Sequence, residues 1–182
     1  MALSQANSSP VNVSIEESHD RQYYDIAGRT SDDLADVLIP RGWAGTIGET
    51  STSLSIYTQF RVDDTSCQLS DLTLHLAVNT TRPRWIDEER GSRRIRRQWA
   101  RFLANLQTHE DGHAEIARRG AAIIGEQLSQ TPPTPDCQTL SDNLDAMKES
   151  LWDRFRISHR EYDTATEHGR TQGAYIEFRN RN

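Results

Sequence analysis

The most regular hydrophobic pattern in the chain lies between residues 68 and 78, where apolar and polar residues alternate. The apolar positions are Leu72, Leu74, Leu76 and Val78. Alternating side chains point to opposite faces of a strand, so this segment is predicted to be a strand with one buried face. Residues 53–62 alternate less regularly and are followed by the turn-like sequence Asp-Asp-Thr-Ser. The two segments are therefore predicted to pair in a small antiparallel sheet.

Weaker signals precede these strands. Residues 1–20 are polar and are predicted to form a flexible arm, and residues 23–26 are predicted to be a first short strand. Thr30 or Ser31 is predicted to cap a short helix, because hydroxyl side chains accept hydrogen bonds from the free amides of a helix start. Pro40 and Gly42 are predicted to end that helix.

After residue 83 the apolar spacing changes to steps of three and four, which is typical of a helix with one buried face. The positions of this stripe are Ile95, Trp99, Phe102, Leu106, His109, His113, Ile116, Ile124 and Leu128. The proline-rich residues 131–135 break the pattern, and a second helical pattern runs from Leu140 to Tyr162. It should end near His168, because Gly169 suits the left-handed position that follows a helix. The pattern predicts an α+β fold, a small sheet followed by two long helices.

Length and composition indicate one water-soluble domain, assigned to residues 21–182 of the 182-residue chain. Hydrophobic residues make up 35% and charged residues 26%, and no apolar run approaches the roughly 18 residues of a membrane span. The net charge of −6 gives no global support to nucleic-acid binding. Residues 1–10 lack the apolar core of a signal peptide, so export is neither shown nor excluded by them.

Arginines are concentrated in one short stretch between residues 90 and 101. They are Arg90, Arg93, Arg94, Arg96, Arg97 and Arg101. The favoured interpretation is the solvated face of a helix, and a polyanion-binding patch is the alternative.

The segment from His109 to His113 reads His-Glu-Asp-Gly-His, an HExxH motif within the first long helix. Residues four apart lie on one helix face, so both imidazoles can reach one Zn²⁺ ion. Both continue the apolar stripe, where a polar group needs a partner that a metal would supply. Glu110 is predicted to take a proton from a zinc-bound water. The alternative is a pair of core histidines satisfied by hydrogen bonds, with Glu110 in solvent.

A zinc site of this kind also requires a third protein ligand and an open position. The candidates are His75, His159, Asp163, Glu167 and His168. If the long helices form a plain antiparallel hairpin about residue 134, the motif lies level with residues 155–159, which favours His159. His168 would then lie about 15 Å too far along the helix. The residues alone leave this choice open.

Several motifs together resemble the DUF922 family, described as predicted secreted zinc-dependent proteases of bacteria. They are Tyr-Asp-Ile-Ala-Gly at residues 24–28, Trp99, the HExxH segment, Tyr162-Asp163, His168-Gly169 and Gln172-Gly173. The resemblance implies a zincin-like metalloprotease, exported to the periplasm or secreted. It also implies that His168 is the third ligand, because the His-Gly pair belongs to the family string.

The two cysteines, Cys67 and Cys137, fit neither a CxxC redox pair nor a zinc ribbon. They would form one disulfide in an exported protein and remain buried thiols in a cytosolic one. They resemble the cysteine pair of the family, which favours the disulfide.

The hypothesis from sequence is a zinc metallopeptidase acting on a peptide or protein. Its metal ligands are His109, His113 and His168. Glu110 is its general base, and Tyr162 either stabilises the oxyanion or packs. Asp163 is predicted to orient a ligand imidazole or to cap a helix. The alternatives are a non-catalytic, metal-stabilised binding module of the cell envelope and a zinc amidase acting on cell-wall peptides. The sequence predicts no oligomeric state.

Overall fold

The computed structural model describes residues 10–43 and 47–175. They form an α+β fold whose elements follow in this order: β1 (Asn12–Ile26), α1 (Ser31–Trp43), β2 (Glu49–Val62), β3 (Cys67–Trp85), α2 (Arg93–Ser129) and α3 (Cys137–Thr166). Short 3-10 turns at Glu88–Arg90 and Arg170–Gln172 precede α2 and follow α3. The α+β class and the two long helices are therefore confirmed.

The sheet is mixed, so the prediction of an antiparallel sheet is wrong for one of its strands. The strand order is β1-β3-β2, with β2 antiparallel and β1 parallel to the central β3. The turn after β2 returns the chain directly, which makes β2 and β3 a hairpin. From β1 the chain passes through α1 and β2 before it forms β3. A connection this long permits β1 and β3 to pair in parallel.

The prediction of a flexible arm over residues 1–20 is wrong for residues 12–20. These residues belong to β1 and pair with residues 71–79 of β3. Residues 1–9 lie outside the described part of the chain. The predicted strand at residues 23–26 is the end of β1, and the rest of β1 escaped prediction because it is an edge strand whose side chains are mostly exposed. Main-chain hydrogen bonds and a few contacts, such as the Arg118–Glu17 ion pair at 2.8 Å, hold it in place. The sequence of β1 therefore shows little of the alternation of apolar and polar residues from which a strand is predicted.

The start of α1 follows the predicted capping chemistry. The Thr30 hydroxyl accepts a hydrogen bond from the Asp33 amide at 3.2 Å, and the Asp33 carboxylate accepts one from the Thr30 amide at 3.0 Å. This reciprocal pair satisfies amides that have no partner within the helix. The helix runs past its predicted end and contains Pro40 in its last turn.

The long helix α2 lies across one face of the sheet. Its first half packs with α1 around Trp99 and Phe102, and its middle presents small residues to β3. Ala114, Ala117 and Ala121 are at most 1% exposed and lie against Leu76 and Val78. Small side chains allow the helix to approach the sheet closely. This contact holds the part of α2 that follows His113 against β3.

The disulfide between Cys67 and Cys137 is present and joins the start of β3 to the start of α3. It spans 70 residues and lies beside a main-chain bridge between Cys67 and Thr134. Such a bond is compatible with an extracytoplasmic protein, since disulfides persist in oxidising compartments. Among the described residues, none of the helices is both long and apolar enough to cross a membrane.

Candidate metal centre

Three side chains from the two long helices converge at one point. His109 and His113 lie one turn apart on the buried face of α2 and are 5% and 8% exposed. Asp163 comes from the last turn of α3, and its Oδ1 lies 3.4 Å from His109 Nε2 and 3.0 Å from His113 Nε2. All three ligand atoms lie within 4.8 Å of one another, which makes this group able to hold a metal ion.

The orientation of His109 is fixed from behind by Gln172. The Nδ1 atom of His109 lies 3.0 Å from Gln172 Oε1, an acceptor, so Nδ1 carries the proton and Nε2 presents its lone pair to Asp163. Tyr162 stacks on the His109 ring at a centroid distance of 5.2 Å. Its hydroxyl donates to the His109 carbonyl at 3.2 Å and accepts from Gln172 Nε2 at 3.0 Å. Gln172 and Tyr162, which are hydrogen-bonded to each other, therefore hold the His109 ring in place.

A left-handed turn after α3 returns Gln172 to the site. Glu167, His168 and Gly169 have φ angles of 49°, 52° and 82°. Such angles cost about 1 kcal/mol or more for a residue with a side chain. Gly169 also lies against His109, because a Cβ added there would be 2.9 Å from His109 Cγ. The turn thus packs directly against His109.

His113 has a second imidazole as its rear partner. Its Nδ1 lies 3.0 Å from His159 Nδ1, and the two rings stack with centroids 5.3 Å apart. The other ring nitrogen of His159 is buried without a hydrogen-bond partner. His159 therefore lies behind His113, on the side away from Asp163, and supports the ring.

Glu110 projects toward the sheet from the same turn of α2. Thr50, on β2, donates a hydrogen bond of 2.7 Å to Glu110 Oε2. Gly48 leaves room for the other oxygen, since a Cβ there would lie 2.5 Å from Glu110 Oε1. Burial is the largest effect on this carboxyl and raises its pKa to about 7, and the charges of Asp163 and Glu49 act in the same direction.

Burial also acts on the histidines. It lowers the pKa of His109, His113 and His159, because the charged imidazolium loses solvation inside the protein. Near neutral pH the rings are therefore neutral and their nitrogen lone pairs are available for a cation.

Close packing of the two helices depends on a glycine inside the motif. A Cβ at Gly112 would lie 2.0 Å from the hydroxyl oxygen of Tyr162, and one at Gly120 would lie 2.3 Å from Phe155 Cδ2. These glycines are eight residues apart on the face of α2 that meets α3. They allow Tyr162 to reach the backbone of His109.

The group opens into a cleft of about 380 Å³ between β2, α2 and α3. Gly48, Glu49, Thr50 and Thr52 line one wall from the edge strand. The opposite wall carries Trp152, Phe155 and Arg156 of α3. The floor holds the histidines, Glu110 and Asp163, so a ligand in the cleft would meet all of them.

Most residues predicted from the sequence meet at this site. His109, His113 and Asp163 form the group, and Glu110 and Tyr162 lie beside it. His168 lies at the cleft rim with a 71% exposed side chain, 3.7 Å from Asp163, so its role as a ligand stays a prediction. His75 pairs with Glu16 at 3.4 Å instead.

Two supporting residues, Gly48 and Thr50, were missed. Gln172 was named only as part of the Gln172-Gly173 pair, and the family resemblance was its signal. Gly48 and Thr50 offered none, because a short polar segment before a strand has no distinctive pattern.

Comparisons with known proteins give a family and nothing narrower. The model of the family described as "Bacterial protein of unknown function (DUF922)" matches residues 21–169. No curated protein and no solved structure matches the chain. The match spans every helix and strand that contributes to the histidine-aspartate group, and the chain belongs to the DUF922 family.

Proposed function

We propose that this protein is a zinc-dependent metallopeptidase in which His109, His113 and Asp163 hold the ion. The observation that carries the proposal is the convergence of two imidazole Nε2 atoms on one carboxylate oxygen at the floor of a cleft. Asp163 takes the position of third ligand here because it alone, among the acidic and histidine residues described, completes this group.

The spacing of the three atoms suits a tetrahedral ion. Zinc binds histidine nitrogen and carboxylate oxygen at about 2.0–2.2 Å, which places neighbouring ligand atoms about 3.3 Å apart. The distances from Asp163 Oδ1 to the two Nε2 atoms are 3.0 and 3.4 Å. A neutral imidazole lone pair facing a carboxylate oxygen is repulsive without a proton or cation between them. The hydrogen bond from His109 Nδ1 to Gln172 leaves Nε2 in that situation.

Zinc, when bound, would act as a Lewis acid on a carbonyl and would lower the pKa of a water molecule at the site. Glu110 supplies the proton chemistry. As a carboxylate it can accept a proton from the attacking water and return it to the leaving amine. Thr50 holds one carboxylate oxygen, so the other is free for this transfer.

Tyr162 is assigned a positioning role in this proposal. Its hydroxyl is already engaged with the His109 carbonyl and Gln172, 3.2 and 3.0 Å away. Partners of this kind hold metal ligands in orientation, and their loss typically weakens metal binding about 10–100-fold. Oxyanion stabilisation by Tyr162 stays a prediction.

The cleft favours an extended peptide as substrate. β2 is an edge strand, and its first residues line the cleft beside Glu110. A free strand edge can pair with an extended chain through main-chain hydrogen bonds, which gives affinity without sequence specificity. We also propose that the protein is exported, because the Cys67–Cys137 bond persists in oxidising compartments.

Metal analysis of the purified protein and its variants tests the ligand set. We expect one zinc per chain, lost in His109→Ala and Asp163→Ala and retained in His168→Ala. Loss in His168→Ala with retention in Asp163→Ala would instead make His168 the third ligand. Absence of zinc from protein refolded with zinc would overturn the proposal.

Peptide hydrolysis separates catalysis from metal binding. Glu110→Gln should keep the ion and lose at least about 100-fold in hydrolysis of a peptide library, the usual contribution of a general base. Glu126→Gln, the same change at an exposed position of α2, is the matched control. Bound zinc without hydrolysis by the wild type would favour the binding module, and hydrolysis confined to cell-wall peptides would favour the amidase.

A further inference from the structure

The first turns of α2 carry an exposed arginine face that the metal centre does not use. Five of the nine residues from 93 to 101 are arginine, and no acidic residue follows until Glu110. The five are Arg93, Arg94, Arg96, Arg97 and Arg101, all exposed. At 100° per residue, Arg93, Arg97 and Arg101 lie on the side of the helix opposite the buried Trp99.

These arginines are unfavourable for the helix that carries them. The start of a helix bears partial positive charge and stabilises anions, yet the first turn of α2 contains no acidic residue. Arg93, Arg97 and Arg101 are spaced four apart, where like charges repel. Helix stability therefore does not account for them.

Partners among the described residues do not account for four of these five arginines either. Among the described residues, Arg93, Arg96, Arg97 and Arg101 form no ion pair within 4.0 Å. Later arginines of the same helix are paired: Arg118 lies 2.8 Å from Glu17, and Arg119 lies 2.8 Å from Glu115. The excess of positive charge is thus confined to the first three turns.

We infer that this arginine face of α2 adsorbs to the phosphate groups of an anionic phospholipid bilayer. A guanidinium binds phosphate through two parallel hydrogen bonds and is weakly hydrated. The exposed residues on either side of Arg101 are small, at Ala100 and Ala104, so the guanidinium groups project furthest from the helix. They form a convex stripe about 12 Å long that can meet a surface of headgroups.

A bilayer fits better than a nucleic acid for two reasons. The only aromatic side chain between residues 93 and 101 is Trp99, which is buried and cannot stack on bases. The disulfide indicates an oxidising compartment, where membranes are the abundant anionic surface. This choice rests on the proposed export, and adsorption itself requires neither zinc nor hydrolysis.

Vesicle co-sedimentation of the full chain tests the inference. The probes are vesicles of phosphatidylcholine alone and of equal parts phosphatidylcholine and phosphatidylglycerol. We expect binding to the anionic vesicles only, weakened by added salt. Each basic residue near an anionic bilayer contributes about fivefold, so Arg97→Gln with Arg101→Gln should weaken binding about 25-fold.

A matched variant separates the face from overall charge. Arg118→Gln with Arg119→Gln removes the same charge from the same helix, and binding should change less than about threefold because these charges are already paired. Circular dichroism of each variant confirms folding. Equal loss in both double variants, no binding of the wild type to anionic vesicles at low salt, or tighter binding to duplex DNA than to vesicles would each overturn the inference.

Discussion

Replacing Glu110 with glutamine should stabilise the metal-free protein at alkaline pH and leave its stability unchanged at acidic pH. Burial raises the pKa of this carboxyl from its usual 4.5 to about 7 in the folded protein. Between these values the folded protein holds a proton that the unfolded chain has released. Stability must therefore fall as pH rises from about 4.5 to about 7, because the folded state binds more protons.

The size of the effect follows from the difference between the two pKa values. A difference of one corresponds to about 1.4 kcal/mol, so the buried carboxylate should destabilise the wild type by about 3 kcal/mol at pH 8. Glutamine has nearly the same shape, keeps an oxygen that can accept from Thr50, and does not ionise. The variant should lack this loss altogether.

Urea denaturation at pH 4.5 and pH 8 in the presence of a chelator measures the difference. The chelator is needed because a bound cation would favour the carboxylate and lower its pKa. The free energies of unfolding of Glu110→Gln and wild type should agree at the lower pH and differ by about 3 kcal/mol at the higher pH. A gap that is the same at both pH values, or that opens only at acidic pH, would refute the argument from burial. Glu126→Gln controls for removal of one negative charge.

Three further changes test other contacts. Removing the Cys67–Cys137 bond by replacing both cysteines with alanine should lower the free energy of unfolding by about 4 kcal/mol, since it closes a 70-residue loop; urea titration measures this. Gly112→Ala should displace Tyr162, reduce thermal stability and weaken zinc binding about 10–100-fold by chelator competition. Gly125→Ala should change stability and zinc binding less, because an added Cβ would lie 3.3 Å from the Leu74 and Val13 methyl groups, which need to shift by only a few tenths of an ångström. Arg97→Gln with Arg101→Gln should unfold at the same or a higher temperature than wild type, because like charges four residues apart on a helix repel.

Periodicity predicted the elements that bury a regular face. The alternation from Leu72 to Val78 gives the central strand, and the three-four stripe through Trp99 and Phe102 gives α2, because burial on one side leaves a repeating signal. Only the end of β1, at residues 23–26, was predicted, since an edge strand held by its backbone tolerates polar side chains on both faces. The parallel pairing of β1 with β3 was also not predictable from the sequence. It depends on which edge of β3 is occupied by β1 and which by β2.

The sequence predicted those site residues whose positions follow from their spacing along a helix. His109 and His113 follow from one helical turn, and the hairpin count correctly placed His159 beside the motif, 3.0 Å from His113. Asp163 was a candidate, but nothing local marks it as the residue that meets both rings. That convergence depends on how closely α2 and α3 approach at Gly112, and on a left-handed turn at residues 167–169. Both are tertiary features.

The central position of β3 in the sheet affects the order in which the strands form and the way in which the protein aggregates. The central strand is the last of the three in the chain, so β2 and β3 can form as a local hairpin while β1 must find partners 59 residues away. Contacts that close long loops form late and are among the first to open. No residue of β1 lines the cleft. Detachment of its first half would leave the His109-His113-Asp163 group assembled while exposing the edge of β3 to a neighbouring molecule. Loss of this strand should therefore first be seen as aggregation of protein in which that group is intact.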